Sequence, residues 1–224
     1  MKIDKSHGSG GNATSELINS IFARYFDNEY LNKMEDSAVL PGYGRIAMTT
    51  DSFVVDPVFF PGGNIGRLAV CGTVNDLLMS GSEPKYITAG YILEEGLDTD
   101  DLETVVKSMA ETAKEAGVKI VTGDTKVIEG KGGLIINTAG VGFVNDGVRI
   151  GPSELEDGDM LILSGTLGEH HAAILANRMG IENDIKSDAA PLNEMVGKLM
   201  KTDLAVHAMR DVTRGGLGTV LNLS

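Results

Sequence analysis

The chain has one cysteine, Cys71, in 224 residues. It can therefore form no internal disulfide and no cysteine-based zinc site. Basic residues are scarce as well: 19 Lys and Arg stand against 32 Asp and Glu, a formal charge of −13. Binding a nucleic-acid backbone depends on clustered cations, so nucleic acid is excluded as the main partner, while a small anion bridged by metal ions stays compatible with this balance. No stretch approaches 18 apolar residues, and residues 1–11 contain no apolar signal region, which argues against a membrane span and against secretion. A soluble, cytoplasmic protein is expected. The chain also lacks a GxxxxGK[ST] phosphate loop, and the segment from Gly8 to Gly11 has no preceding strand to make it a dinucleotide fingerprint. Any nucleotide must be held another way.

Glycine, by contrast, is plentiful, with 29 residues, about twice the usual share of roughly 7%. The glycines follow no period of three, so they mark tight turns or close backbone approach to a ligand, not collagen. Apolar residues at 42% and charged residues at 23% suffice for a core and exclude a disordered chain. Residues 14–26 place Leu17, Ile18, Ile21, Phe22, Tyr25 and Phe26 at helical spacing, with Thr14 as N-cap. Residues 45–55 read as a strand, followed by a turn at Pro61-Gly62-Gly63 and a helix over 64–81. A strand at 85–93 precedes the clearest amphipathic helix, 99–116, which Gly117 closes at C′. Short strands are expected at 118–123 and 134–144, then a strand at 160–164 and a helix over 169–180. The α/β pattern restarts after Gly151-Pro152, so the chain divides into an N-terminal domain, 1–152, and a C-terminal α+β domain, 153–224. This second domain is expected to be incomplete at residue 224, because a half-built α/β unit leaves an apolar face uncovered.

Four isolated aspartates in apolar or small-residue surroundings are candidates for chemistry: Asp51 in TTDS, Asp76 in VNDL, Asp124 in TGDTK and Asp211 in RDVTRGG. Single carboxylates at element ends suit Mg²⁺ bridging a polyphosphate, because the metal takes one or two carboxylates and leaves positions for phosphate oxygens. They also suit ordinary caps and turns. Lys126 emerges on the same strand face as Asp124 and either offsets phosphate charge or is solvated. The lead His7-Gly8-Ser9-Gly10-Gly11 offers a backbone cover for phosphates or a loose N-terminal tail. Loops at 164–168 and 213–216 each precede an expected helix and present N–H donors to an anion or simply connect elements. His170 and His171 are adjacent on a helix and cannot make a zinc pair, and they and His207 are expected to be structural or exposed. Cys71, inside a packed helix, behaves as a small apolar residue.

The segments HGSGG at 7–11, TTDSFVVDPVFFPGGNIGRLAVCGTVNDLLMSG at 49–81, ILEEG at 92–96, VTGDTKV at 121–127, INTAGVG at 136–142, LSGTLGEH at 163–170 and RDVTRGG at 210–216 together resemble the HypE family of hydrogenase maturation factors. VDPVFFPGGNIG and TGDTKV separate it from relatives of the same ATP-binding superfamily, such as aminoimidazole ribonucleotide synthetase, selenophosphate synthetase and thiamine-monophosphate kinase. The resemblance implies an N-terminal mixed-sheet domain that forms a dimeric barrel with a second subunit, followed by the α+β domain, with ATP and Mg²⁺ between the two. It implies ATP-dependent dehydration of a protein-bound S-carboxamide to a thiocyanate that supplies cyanide for [NiFe] hydrogenase, with HypF and the HypC–HypD scaffold as partners. Carried onto this chain, it makes Asp51, Asp76, Asp124 and Asp211 the metal carboxylates. Thr50, Asn75, Lys126 and Thr213 lie near the nucleotide, Asp76 and Lys126 act in catalysis, and Gly8, Ser9, Gly10 and Gly11 cover the triphosphate. Two departures stand out: no cysteine occupies the family's C-terminal carrier position, and His171 stands where the family often has glycine. The alternatives are another enzyme of the superfamily, of which a selenophosphate synthetase is disfavoured by a glycine-rich lead without cysteine, and a non-catalytic module binding nucleotide or maturation partners.

Overall fold

The computed structural model describes residues 2–8, 12–33, 40, 42–213 and 215–222. The chain enters as a strap. Ile3 is fully buried, its N–H donates to Leu97 O at 2.8 Å, and its carbonyl accepts from Gly96 N at 2.9 Å. A 3₁₀ turn, Lys5–Gly8, leads to α1 (Asn12–Leu17), a π-helical turn at Ile18–Phe22 and α2 (Ala23–Tyr25). The helix thus begins before Thr14, which sits in its first turn instead of capping it and donates its hydroxyl to Ser6 O at 3.2 Å.

Strand β1 (Ile46–Phe53) is followed by a two-rung hairpin, β2 (Phe59–Phe60) and β3 (Gly63–Asn64), turned at Pro61-Gly62 with Gly62 at φ +92°. Helix α3 (Ile65–Met79) starts where the Asn64 side chain accepts from Gly66 N and Arg67 N. That cap satisfies two donors that the first helical turn would otherwise leave unpaired. The helix is small and apolar nearly all round because it is buried on both sides, between the sheet and α4 (Thr99–Glu115). Gly66 permits that fit, since a Cβ there would collide with Val105 O. Helix α4 buries Leu102, Val105, Val106 and Met109 completely, each contributing about 1.5–3 kcal/mol.

Strands β4 (Glu83–Glu94), β5 (Lys119–Ile128) and β6 (Leu134–Phe143) join β1 in a mixed sheet of order β1-β6-β4-β5. The β4–β5 pair is parallel and the other two are antiparallel, with α4 as the crossover that a parallel pair requires. Strand β5 runs beyond 123 because β4 continues beside it as far as the Glu94–Ile128 pair. Thr138, Ala89 and Tyr91 on one sheet face are buried under the helices, whereas Ile46 and Met48 on the opposite face are exposed.

The C-terminal part holds a 3₁₀ turn, Pro152–Glu154, and helices α5 (Glu169–Met179), α6 (Asn193–Leu199) and α7 (Gly216–Leu221). The strand expected at 160–164 is absent: these residues form no ladder, and Met160 and Ile162 are 85% and 81% exposed. An apolar run becomes a strand only where a neighbour pairs its N–H and C=O groups, and among the described residues none lies beside it. Residues 186–200 pack back onto the first part of the chain, with Val196 of α6 inside the same buried cluster as α3 and α4.

Candidate functional site

Helix α3 carries Asp76 in its last turn, and β1 passes beneath it. Thr49, paired with Gly140 on the helix-covered sheet face, donates its hydroxyl to Asp76 Oδ2 at 2.8 Å. Gly140 has no side chain, so the helix lies close: a Cβ there would stand 2.6 Å from Thr73 Cγ2 and 3.0 Å from Leu77 Cδ1. Above Asp76 opens a cavity of about 370 Å³, walled by Met48 and Thr49 of β1, Asp76 and Ser80 at the end of α3, and Arg210 and Asp211 from the C-terminal part. Two carboxylates, a hydroxyl and a guanidinium converge there from segments separated by up to 162 positions, a combination that can hold a cation and an anion together.

The remaining sequence candidates fall elsewhere. Across the sheet, Asp51 pairs with Thr138, Thr138 with Ala89 and Ala89 with Gly123. Directly paired residues share a face and successive residues alternate, so Asp51 lies on the helix-covered side and Asp124 on the open side. Asp124 therefore stands apart from Asp51, and among the described residues no three His, Cys, Asp or Glu side chains are grouped to hold a metal. Asp124 is ion-paired with Lys126 at 2.7 Å, both exposed. The Lys126 ammonium holds the Asp124 carboxyl below the usual carboxylate range. Thr50 also faces the open side, donating to Thr138 O at 2.8 Å. Gly8 lies against the neighbouring Val127, where a Cβ would come within 2.9 Å of Val127 N. The glycine-rich lead therefore starts beside Lys126, while Ser9, Gly10 and Gly11 lie outside the described residues.

Asn75, expected near the nucleotide, is placed on another flank of α3. Its Nδ2 donates to Ala190 O and its Oδ1 accepts from Leu192 N, both at 3.0 Å. Thr213 is exposed two residues beyond Asp211, and its carbonyl accepts from Gly216 N. Arg210 and Thr49 are site residues that the sequence reading passed over, although both stand beside chosen ones, in RDVTRGG and TTDS. The histidines behave as expected. His170 packs edge-on to Phe60 and bonds Ser187 Oγ at 2.9 Å, and His207 pairs with Asp159 at 2.9 Å. Cys71 is buried, and burial pushes its thiol up to about 12, so it is no nucleophile.

Models of the AIR synthase related protein family match this chain twice, the N-terminal domain over residues 34–144 and the C-terminal domain over 156–223. The carbamoyl dehydratase HypE of Cupriavidus necator is 49% identical over 99% of this chain and 65% of its own length, and that of Escherichia coli (strain K12) is 47% identical over 98% and 68%. Among solved structures, a hydrogenase maturation protein HypE in complex with ATP superposes with a TM-score of 0.93 at 48% identity, covering 97% of this chain and 66% of that one. A HypE–HypF complex matches with a TM-score of 0.76 at 51% identity, covering 92% of this chain and 68% of that one. A thiamine-monophosphate kinase from Stenotrophomonas maltophilia, at 22% identity, 80% and 58% coverage and a TM-score of 0.60, shares the fold alone. The chain thus spans about two thirds of the length of the curated relatives it matches.

Proposed function

Because the chain belongs to the HypE family, we propose that its cavity between α3 and residues 210–211 binds the phosphates of ATP with Mg²⁺, as the nucleotide-binding part of a carbamoyl dehydratase. The observation that carries this reading is the convergence of Asp76, Thr49, Arg210 and Asp211 on one cavity. Mg²⁺ takes one or two carboxylates from protein and leaves its other positions to water and phosphate oxygens, so the donor set fits the ion. When bound, Mg²⁺ supplies charge neutralisation between phosphate oxygens. Thr49 orients Asp76 by donating to one oxygen, which leaves the other for the ligand. Arg210 offers donors to a phosphate oxygen.

The reaction proposed for the whole protein is dehydration of a carrier-bound S-carboxamide. Its amide oxygen takes the γ-phosphoryl group, the nitrogen gives up its protons, and phosphate departs with the oxygen to leave a thiocyanate. An amide oxygen leaves poorly and a phosphate leaves well, so a site of this kind acts mainly as a phosphoryl-transfer clamp. Lys126 and Asp124 beside Gly8 form a second polar station at the start of the glycine-rich lead, with Gly8 to Gly11 as the cover over the triphosphate. A homodimer joined through the open sheet face, encounters with HypF and the HypC–HypD scaffold, a cytoplasmic location and a domain division at 152/153 belong to the same proposal.

Titration calorimetry tests the cavity reading. ATP with Mg²⁺ should bind the wild-type chain, and Asp76→Asn should remove the Mg²⁺-dependent share of that affinity. Equal Mg²⁺-dependent binding by the variant removes Asp76 from the site.

A further inference from the structure

Residues 186–192 form an irregular strap that crosses the helices of the first part of the chain. Its hydrogen bonds to the first part of the chain use the strap's backbone. Ser187 N donates to Pro61 O at 2.8 Å, Arg67 Nε to Ala189 O at 3.0 Å, and Asn193 Nδ2, just beyond, to Ala116 O at 2.8 Å. At the centre, Asn75 gives both of its amide atoms to the strap, Nδ2 to Ala190 O and Oδ1 from Leu192 N. A side-chain amide that matches a donor and an acceptor two residues apart fixes register, because a slip of one residue breaks both bonds.

Asn75 adjoins Asp76 in the chain. Successive residues of an α-helix point about 100° apart, so the two face different surroundings from one peptide unit. Asp76 faces the cavity and Asn75 faces the strap. Beyond the strap the chain touches the core of the first part at Val196 of α6, at Met200 just after it and again at Met209, with residues 201–205 between them exposed, and Met209 immediately precedes Arg210 and Asp211. Asn75 thus ties α3, which carries Asp76, to the segment whose continuation carries Asp211.

We propose that Asn75 is a positioning residue: it sets the register of the strap and thereby the spacing between Asp76 and Asp211 across the cavity. This rests on the reading of the cavity as a site for a metal-bridged phosphate. Asn75 itself touches no ligand in this role, in contrast to what its place beside Asp76 in the sequence suggests.

The test uses the 224-residue chain, Mn²⁺ as a paramagnetic probe, and ATP with and without the metal. In wild type, Mn²⁺ and ATP bind more tightly together than apart. Asn75→Ala should weaken Mn²⁺ binding in the presence of ATP by about five- to ten-fold, the equivalent of one or two lost neutral hydrogen bonds. ATP binding in EDTA should stay unchanged, and trypsin should cut after Lys186 faster. Asn75→Asp keeps the volume and the acceptor for Leu192 N but loses the donor to Ala190 O, and it should show the same split should Asn75→Ala fail to fold. Metal affinity equal to wild type in either variant overturns the proposal, whatever the rate of cleavage after Lys186. Equal loss of metal-free and metal-dependent ATP binding also overturns it, because that is the result of a purely structural role. Absence of metal-enhanced ATP binding in the wild-type chain refutes the underlying site instead, and the two failures are distinguished by that measurement.

Discussion

Replacing Gly140 with alanine should strain the contact on which the cavity floor rests. The new Cβ would stand 2.6 Å from Thr73 Cγ2, 3.0 Å from Leu77 Cδ1 and 3.4 Å from Thr49 Cγ2. Carbon atoms prefer about 3.5–4.0 Å, so about 1 Å must be found between β6 and α3. Thr73 cannot swing aside, because its buried hydroxyl donates to Ala69 O at 2.9 Å and shares a 2.5 Å bond with Thr138 Oγ1. Overpacking of this kind costs about 1–3 kcal/mol. Thr73→Ser removes the clashing methyl and keeps the hydroxyl, at a cost of about 1 kcal/mol alone. In the double variant the two changes should compensate, with a coupling of about 1 kcal/mol or more. Urea denaturation at constant m measures each stability, and Mg²⁺-dependent ATP affinity should follow the same order, since the displaced Thr49 orients Asp76. Strictly additive stabilities would refute the reasoning that Gly140 is there to admit α3.

Val196→Ala should lower stability by about 1–3 kcal/mol, although it lies in the C-terminal part, because it is 4% exposed within the first part's core; a neutral urea midpoint would contradict that docking. Proton NMR should find His207 titrating above 6.5, since its bond to the Asp159 carboxylate raises it. That pair's stabilisation is complete below pH 6.5 and is lost as pH rises through the folded-state value. His170 should titrate below 6.5, since burial lowers it, and its effect has the opposite sign: stability is lost as pH falls from 6.5 through the folded-state value. Cys71 should resist an aromatic disulfide reagent at pH 8 in the native chain and react at once in urea; rapid native labelling would show that the thiol is not held protonated by burial.

Much of the fold was legible where periodicity and end signals coincide. Helix α4 has its apolar stripe and Gly117 at φ +68°, and α3 was found despite two glycines because Gly66 and Gly72 are close-packing positions within a regular apolar pattern. Residues 160–164 misled because an apolar run records hydrophobicity and not the presence of a pairing partner. The site was half legible. Asp76 and Asp211 stand out as isolated carboxylates, and the structure joins them at one cavity. Asp51 and Asp124 look the same in sequence, and only the register across four strands shows that they face opposite ways. The strap was invisible, since its residues have no period and Asn75 finds them 115 and 117 positions away.

The most direct test of the account is to locate Mn²⁺ by its anomalous scattering in crystals of this chain grown with a non-hydrolysable ATP analogue. The account predicts a peak within coordination distance of Asp76 and Asp211, about 2.1 Å from a carboxylate oxygen of each, with phosphate oxygens completing the shell. A peak held by Asp124 alone, or by neither Asp76 nor Asp211, would contradict it.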